Sequence, residues 1–319
     1  MKDKYGREIS YLRISLTDKC NLRCRYCMPL TGIEDKSHSD IISEEEILST
    51  VKVAVGLGIK KIRLTGGEPL VKKNIVSIVK NIKNINGVEE LCLTTNGTLL
   101  PNLSKDLKDA GLDRLNISID SLKPDKYKYI TGGGNLDDAL KGLNTAYDTG
   151  FKKIKINSVL IGGFNDDEIE DFANLTIDRD IDVRFIELMP MYDSGDFGPE
   201  SFIPYTVVLE KLKHRNIQAV ESDGGVAKLY KLPGAKGKIG LISPVNDHFC
   251  ANCNRIRLTA DGKIKPCLHS NDEISIRGLN EEEIKQKIEE SIFKKPEKHE
   301  ELSYISRSHA NRNMNQIGG

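Results

Sequence analysis

Short runs in which apolar and polar residues alternate recur through the first two thirds of the chain, with stretches of helical spacing between them. Tyr11–Leu16, Lys60–Thr65, Glu90–Thr95, Asp113–Ile119, Lys153–Ile161 and Asp182–Glu187 read as strands. Helical periods fall near Leu70–Ile85, Leu103–Gly111, Asp137–Gly150 and Asp166–Asp178. Another begins at Ser43, with Glu46 three residues on as in a capping box. Alternation of strand and helix builds βαβ units on a parallel sheet. Six units predict an α/β chain built on a partial (β/α)6 barrel of TIM type; an open sheet fits the same pattern.

The strands carry a second message. Parallel strands covered on both faces usually read as unbroken apolar runs, and these do not. Leu12, Ile14 and Leu16 oppose Arg13 and Ser15; Ile62 and Leu64 oppose Arg63 and Thr65; Leu91 and Leu93 oppose Cys92 and Thr94. Leu115, Ile117 and Ile119 oppose Asn116, Ser118 and Asp120; Ile154 and Ile156 oppose Lys155 and Asn157; Val183 and Phe185 flank Arg184. With the apolar faces under the helices, the polar faces line the barrel. Unpaired buried charge is costly, so such a lumen is wet or holds a charged ligand. Arg13, Arg63, Lys155 and Arg184 then converge on one cavity suited to a polyanion such as a triphosphate. The plainer alternatives are solvated edge strands, or pairing of these cations with Asp120 and Glu187.

Composition narrows the classes. The chain has 319 residues, and 47 basic side chains balance 47 acidic ones. A net charge of zero does not mark a nucleic-acid binder. Met1-Lys2-Asp3-Lys4-Tyr5 lacks the apolar stretch of a secretory signal, and no run reaches bilayer length. The expected location is the cytoplasm, where the seven cysteines serve as metal ligands or reduced core residues. The length allows a barrel over 1–192, a Gly-, Ser- and Pro-rich linker over 193–204, and a smaller C-terminal α+β region over 205–319. A helix over Glu281–Phe293, opened by a capping box at Asn280 and Glu283, is expected to cover that region.

The cysteines bring in chemistry. Cys20, Cys24 and Cys27 stand in one run, Cys20-Asn-Leu-Arg-Cys24-Arg-Tyr-Cys27. A [4Fe–4S] cube takes four ligands, so three thiolates leave one iron open to a small molecule. The alternatives are a redox CxxC pair or a zinc site, but structural zinc wants four closed ligands and no fourth cysteine lies nearby. A second set, Cys250, Cys253 and Cys267, also lacks a fourth cysteine, and His269 is badly placed for a compact site. It reads as a second open-iron [4Fe–4S] cluster, with a zinc ribbon as the alternative. Cys92, alone on a strand, reads as a small core residue. In Thr65-Gly66-Gly67-Glu68-Pro69, paired glycines let the backbone approach a ligand closely.

The first cysteine run, with an aromatic before its last member, and the Gly-Gly-Glu-Pro turn together resemble the radical S-adenosylmethionine (SAM) superfamily. Other segments narrow the resemblance, over nearly the whole length, to the GTP 3′,8-cyclase family of molybdenum cofactor biosynthesis. They are the opening Leu12-Arg13-Ile14-Ser15, Thr94-Thr95-Asn96-Gly97, Arg184-Phe185-Ile186-Glu187, the second triad with Arg255-Ile-Arg257, and Asn315-Gln316-Ile317-Gly318-Gly319. The resemblance implies two [4Fe–4S] clusters and SAM as cofactors. Cys20, Cys24 and Cys27 would hold the cluster that cleaves SAM, and Cys250, Cys253 and Cys267 the one that binds guanine. Gly67 would meet the amino group of SAM and Ser118 its ribose or carboxylate, with Tyr26 and Met189 near the adenine.

GTP would lie between the clusters, in contact with Arg13, Lys61, Arg63, Thr94, Lys155, Arg184, Arg255 and Arg257. Gly318 and Gly319 would reach in to assist catalysis. The implied reaction takes hydrogen from ribose C3′ with a 5′-deoxyadenosyl radical, closes C3′ on guanine C8, and finishes with one electron and a proton. Implied partners are GTP, an electron donor whose identity the sequence does not give, and the downstream enzyme that takes the cyclic nucleotide. No nucleic acid or membrane is implied, and the family's frequent dimers allow a homodimer. A radical SAM enzyme acting on a peptide and a non-catalytic iron–sulfur electron carrier stay open as alternatives.

Overall fold

The computed structural model describes residues 1–28, 40–191, 197–222, 224–247, 249–303, 305–308 and 310–318. Strands β1 (Tyr11–Ser15), β2 (Lys61–Thr65), β3 (Glu90–Thr95), β4 (Arg114–Ser118), β5 (Ile154–Leu160) and β6 (Ile181–Glu187) lie side by side in chain order. All are parallel. Helices α1 (Glu44–Gly56), α2 (Ile75–Lys83), α3 (Leu100–Asp109), α4 (Pro124–Ile130), α5 (Leu136–Asp148) and α6 (Ile169–Asn174) connect them.

The apolar strand faces and the helices share one core. Leu12, Ile14, Ile62, Leu64, Leu91, Leu93, Leu115 and Ile117 are fully buried, together with Ile47 and Val51 of α1 and Ile78 and Ile82 of α2. Each such side chain contributes roughly 1.5–3 kcal/mol by leaving water. The capping box at Ser43 is present: Glu46 N donates to Ser43 Oγ at 3.1 Å and Ser43 N donates to Glu46 Oε2 at 2.9 Å.

Two helical stretches are shorter than their periods suggest. The Leu70–Ile85 period splits into a 3-10 turn at Pro69–Val71 and α2, with the polar Lys72-Lys73-Asn74 between them. Asp166–Asp178 reduces to a 3-10 turn at Asp166–Glu168 and α6. Helix α4, only seven residues long, had no clear period.

The C-terminal third does more than follow the barrel. It adds β7 (Gln218–Val220), β8 (Lys228–Lys231) and β9 (Ile239–Ile242) to one edge, and β10 (Arg255–Leu258), β11 (Lys263–Lys265) and β12 (Ile274–Ser275) to the other. β9 joins β6 and β10 joins β1, both in parallel. Eight neighbouring parallel strands result, with antiparallel additions outside them. The sheet begins at β12 and ends at β7, so it is a partial barrel rather than a closed one. Helix α7 (Thr206–Leu212) packs on α6, and α8 (Glu281–Phe293) packs on α1 behind its expected capping box. The one-turn helix α9 (Met314–Ile317) follows. Among the described residues no helix is long and apolar enough to cross a membrane.

Candidate active site

The polar strand faces enclose a cavity of about 840 Å³. Register stacks their side chains in rows. Arg257, Arg13 and Arg63 stand level on β10, β1 and β2, and the row continues to Cys92 and Arg114. Neighbouring strands lie about 4.8 Å apart, and like charges directly opposite destabilise a sheet. Three level guanidiniums therefore call for an anion. Burial and the adjacent Arg257 and Arg63 hold Arg13 well below the usual arginine range, although Tyr11 counters them. Burial and Arg255 bring Arg257 down to about 10.

Two further rows complete the walls: Thr94, Asn116, Lys155 and Asp182, then Ser118, Asn157 and Arg184. Some of the cations are partly compensated. Lys155 lies 3.3 Å from Asp182, and Lys61 and Arg114 share Glu90, the latter at 2.7 Å. Arg63 donates to the Tyr11 hydroxyl and, at 3.0 Å, to Thr94 Oγ1. Asp120 and Glu187 are engaged elsewhere. Asp120 accepts from the Tyr26 hydroxyl at 2.7 Å and Val159 N at 2.8 Å; Glu187 accepts from Ser243 Oγ at 2.7 Å and Tyr205 N at 3.0 Å.

The first triad follows β1 and sits at the rim where the parallel strands end. Cys20, Cys24 and Cys27 all face the cavity, as do Tyr26, Gly67, Ser118 and Met189. Burial raises all three thiols, with Asp120 and one another adding to the rise at Cys24 and Cys27; Cys27 reaches about 12. Such thiols ionise only beside a strong cation, which suits iron and not a free redox pair. Leu22 N donates to Cys20 Sγ at 3.3 Å, an interaction that favours the thiolate. The glycine pair serves this loop directly. A Cβ on Gly67 would lie 2.4 Å from Lys19 O, and one on Gly66 2.5 Å from Thr17 O, so only glycine lets the turn pack under the cysteines.

The second triad lies at the opposite rim. Cys250 and Cys253 precede β10, and Cys267 follows the antiparallel β11, which places all three where the barrel strands begin. They too line the cavity, beside Arg255 and Arg257. Burial alone would raise Cys253, but Arg255 and Lys295 bring it down to about 6. Lys295 is buried and donates to Arg255 O at 2.9 Å and Pro266 O at 2.7 Å. A thiolate cluster is anionic, so this setting fits one. Among the described residues no three His, Cys, Asp or Glu side chains converge on a single-ion site. A cluster does not need that convergence, because each thiolate holds a different iron.

Every strand and loop residue expected to hold a cluster, SAM or GTP thus faces one cavity, whereas Ser15 and Cys92 on the same strand faces are buried without lining it. The tail differs. Gly318 lies against Thr65 rather than on the cavity wall, and Gly319 lies outside the described residues. Arg257, expected to meet substrate, also donates to Ile317 O at 3.0 Å and Gly318 O at 2.8 Å. Asn116 and Asn157, expected on the polar strand faces, line the cavity too, and so do Tyr11, Glu90, Arg114 and Asp182, which were not singled out from sequence. Following the same alternation one step further along each strand would have found them. Lys152, Lys153 and Lys238 line its lower mouth; Lys153 continues the alternation of Lys155 and Asn157, whereas Lys152 and Lys238 lie in segments before β5 and β9 where no periodicity points to them.

Residues 14–176 match the family model of the Radical SAM superfamily, and residues 181–301 match that of Molybdenum Cofactor Synthesis C. The chain is 51% identical to the GTP 3′,8-cyclase of Alkaliphilus oremlandii over 100% of both chains. It is 45% identical, again over 100% of both, to the protein of that name from Petrotoga mobilis. Among solved structures it resembles Streptococcus suis SuiB, with a TM-score of 0.65 at 13% identity over 91% of this chain and 66% of that one. Native anSMEcpe with bound AdoMet gives a TM-score of 0.62 at 16% identity over 92% of this chain and 82% of that one. At such low identity these two likenesses concern the fold alone.

Proposed function

We propose how this chain, which belongs to the GTP 3′,8-cyclase family of the radical SAM superfamily, uses its cavity to cyclise GTP. The reaction joins ribose C3′ to guanine C8 and gives 3′,8-cyclo-7,8-dihydro-GTP, an early compound of molybdenum cofactor biosynthesis. The observation that carries the assignment of the site is the level row of Arg257, Arg13 and Arg63. A triphosphate matches three clustered guanidiniums in charge and in the spacing of its oxygens, which a neutral peptide backbone does not.

Arg13, Lys61, Arg63, Lys155 and Arg184 hold the phosphates and ribose, and Thr94 fixes the Arg63 fork through its hydroxyl. Arg255 and Arg257 stand between substrate and the second triad. Cys20, Cys24 and Cys27 hold a [4Fe–4S] cluster; Gly67, Ser118, Tyr26 and Met189 surround SAM. When bound, cluster and SAM supply the 5′-deoxyadenosyl radical that takes hydrogen from C3′. The protein's own work is to fix C3′ and C8 within reach and to keep water away. Gly318 and Gly319 are assigned to assist the hydrogen abstraction; Gly318 lies against Thr65, which lines the cavity.

Cys250, Cys253 and Cys267 would hold a second [4Fe–4S] cluster, which would supply an iron site for the guanine. We keep the division into a barrel over 1–192, a linker over 193–204 and a C-terminal region over 205–319 as a proposal; positions 193–196 lie outside the described residues, and the two family-model matches meet earlier, between 176 and 181. A reducing cytoplasm suits GTP and thiolate-bound iron, with a reductant and a downstream enzyme as the proposed partners. The test is anaerobic: reconstitute the clusters, add SAM, dithionite and GTP, and quantify 5′-deoxyadenosine with nucleotide product. Matched appearance of both, with loss of GTP, is expected. SAM cleavage indifferent to GTP, without nucleotide product, overturns the substrate assignment.

A further inference from the structure

The tail runs along the edge of the cavity, which Met314 lines, and sets Gly318 against Thr65. Helix α9 is a single turn, far too short to persist by itself. Its place therefore depends on anchors before and after it. At the tip, Arg257 grips the carbonyls of Ile317 and Gly318. Gly318 adopts φ 65°, and a Cβ there would fall 1.8 Å from Thr65 Oγ1, so the tip is seated to within the size of a methyl group. Midway, the buried Asn315 donates to Asp18 O at 3.2 Å.

The upstream anchor is of another kind. Arg312 donates through Nε to Glu273 Oε1 at 2.5 Å and through Nη2 to Glu273 Oε2 at 2.7 Å, and Nη2 also reaches Asp261 Oδ2 at 2.8 Å. This is a two-pronged arginine–carboxylate fork with a second carboxylate, mostly shielded from water. Glu273 is held in turn by Lys265, whose fully buried ammonium donates to it at 3.0 Å and to Ser270 O at 2.6 Å. Lys265 is level with Arg257 across β10 and β11. The same strand pair thus carries both ends of the clamp: Glu273 and Lys265 fix where the tail starts, and Arg257 fixes where it ends.

We propose that Arg312, gripped by Glu273 and Asp261, is the positioning residue of the C-terminal tail and sets where Gly318 lies beside Thr65 and Arg257. This rests on the tail's part in the reaction proposed above. Arg312 need not touch substrate. It shortens the free segment to the seven residues that follow it, which restricts how far the tip can stray. Burial would raise Glu273, but Arg312 and Lys265 bring it down to about 2, so the fork stays charged at any working pH.

The test compares holoenzyme with Arg312→Gln and Arg312→Lys. Amide hydrogen exchange of residues 313–318 is read by mass spectrometry beside that of β1–β6 and of β11–β12. For Arg312→Gln, exchange of the tail should quicken about tenfold or more while β1–β6 stay protected. Nucleotide product formed per 5′-deoxyadenosine should fall about tenfold, and Arg312→Lys should lie between, since lysine keeps charge but loses the fork. Unchanged tail exchange overturns the proposal whatever the activity. Loosening of β11–β12 to the same extent as the tail also overturns it, because Arg312 would then be a general brace. A loosened tail with unaltered product per 5′-deoxyadenosine supports the anchor and removes the tail from the reaction.

Discussion

At the scale of single residues the cavity sets opposing forces against one another, and Glu68 shows the balance best. Burial pushes its carboxyl up to about 7, against Asn96 N at 2.7 Å, Thr95 Oγ1 at 2.7 Å and Leu70 N at 3.0 Å, which all favour the charged form. The folded protein therefore binds this proton more tightly than the unfolded chain, whose carboxyl sits near 4.5. Stability from this group is present in full at low pH and is lost as pH rises between about 4.5 and about 7, then stays level. Glu68→Gln should flatten that part of the profile. Its amide also sets an N–H against one of the three donors, at a cost of about 1–3 kcal/mol. Urea midpoints of wild type and variant holoenzyme across this pH window check both effects; parallel profiles would show that the slope belongs to another group. Sequence marked Glu68 only as part of a turn, because its three donors come from the 3-10 turn after it and from the end of β3.

At the scale of elements, alternation within strands was the most readable signal. A period of two sorts side chains to opposite faces whatever the neighbours are, so Arg13, Arg63, Lys155 and Arg184 could be placed inward. Which of them stand level could not be read, since register depends on the partner strand; Arg257 joins the row only because β10 pairs with β1. The short strands β7–β12 have two to four residues each, too few for a period to show. The segment ahead of β1 was equally silent, yet it braces the second triad. Asp3 and Arg7 form a buried pair at 2.6 Å, and Arg7 donates to Cys250 O at 2.9 Å, Glu297 O at 2.8 Å and Pro296 O at 2.7 Å. Arg7→Ala strands Asp3 and three carbonyls, a loss of about 3–5 kcal/mol for a broken buried pair. The loop of Cys250 should then fail to hold the second cluster proposed for it. Iron should fall from about eight to about four atoms per chain, as expected for two cubes and one, while SAM still perturbs the spectrum of the remaining cluster. Full iron content in Arg7→Ala would show that this brace is dispensable.

Across the whole molecule, charge balances to zero, yet the balance is not even along the barrel. Where the strands begin, the cavity is lined by Lys61, Arg114, Lys152, Lys153, Lys155 and Lys238 against Glu90, Asp180 and Asp182. Three of these cations already share Glu90 or Asp182, whereas Lys152 and Lys153 stand exposed at the mouth. The mouth is therefore positive, and it opens on the walls that carry Arg13 and Arg63. Converging cations over low-dielectric walls raise the local concentration of an anion and speed its arrival, an effect that salt removes within a Debye length of about 8–10 Å. GTP, with its phosphates as the most charged part, should enter by this mouth. The double change Lys152→Glu with Lys153→Glu should weaken GTP binding about tenfold at low ionic strength, or about 1.4 kcal/mol. The gap should close as salt is raised, with SAM affinity and the rate at saturating GTP unaltered. Titrations of GTP at several salt concentrations decide it. A deficit that salt does not narrow would point to a direct contact, and no deficit at all would place the entrance at the other rim. The second outcome would also separate entry from binding, because the level arginines would still hold the phosphates once GTP had arrived from the first triad's side.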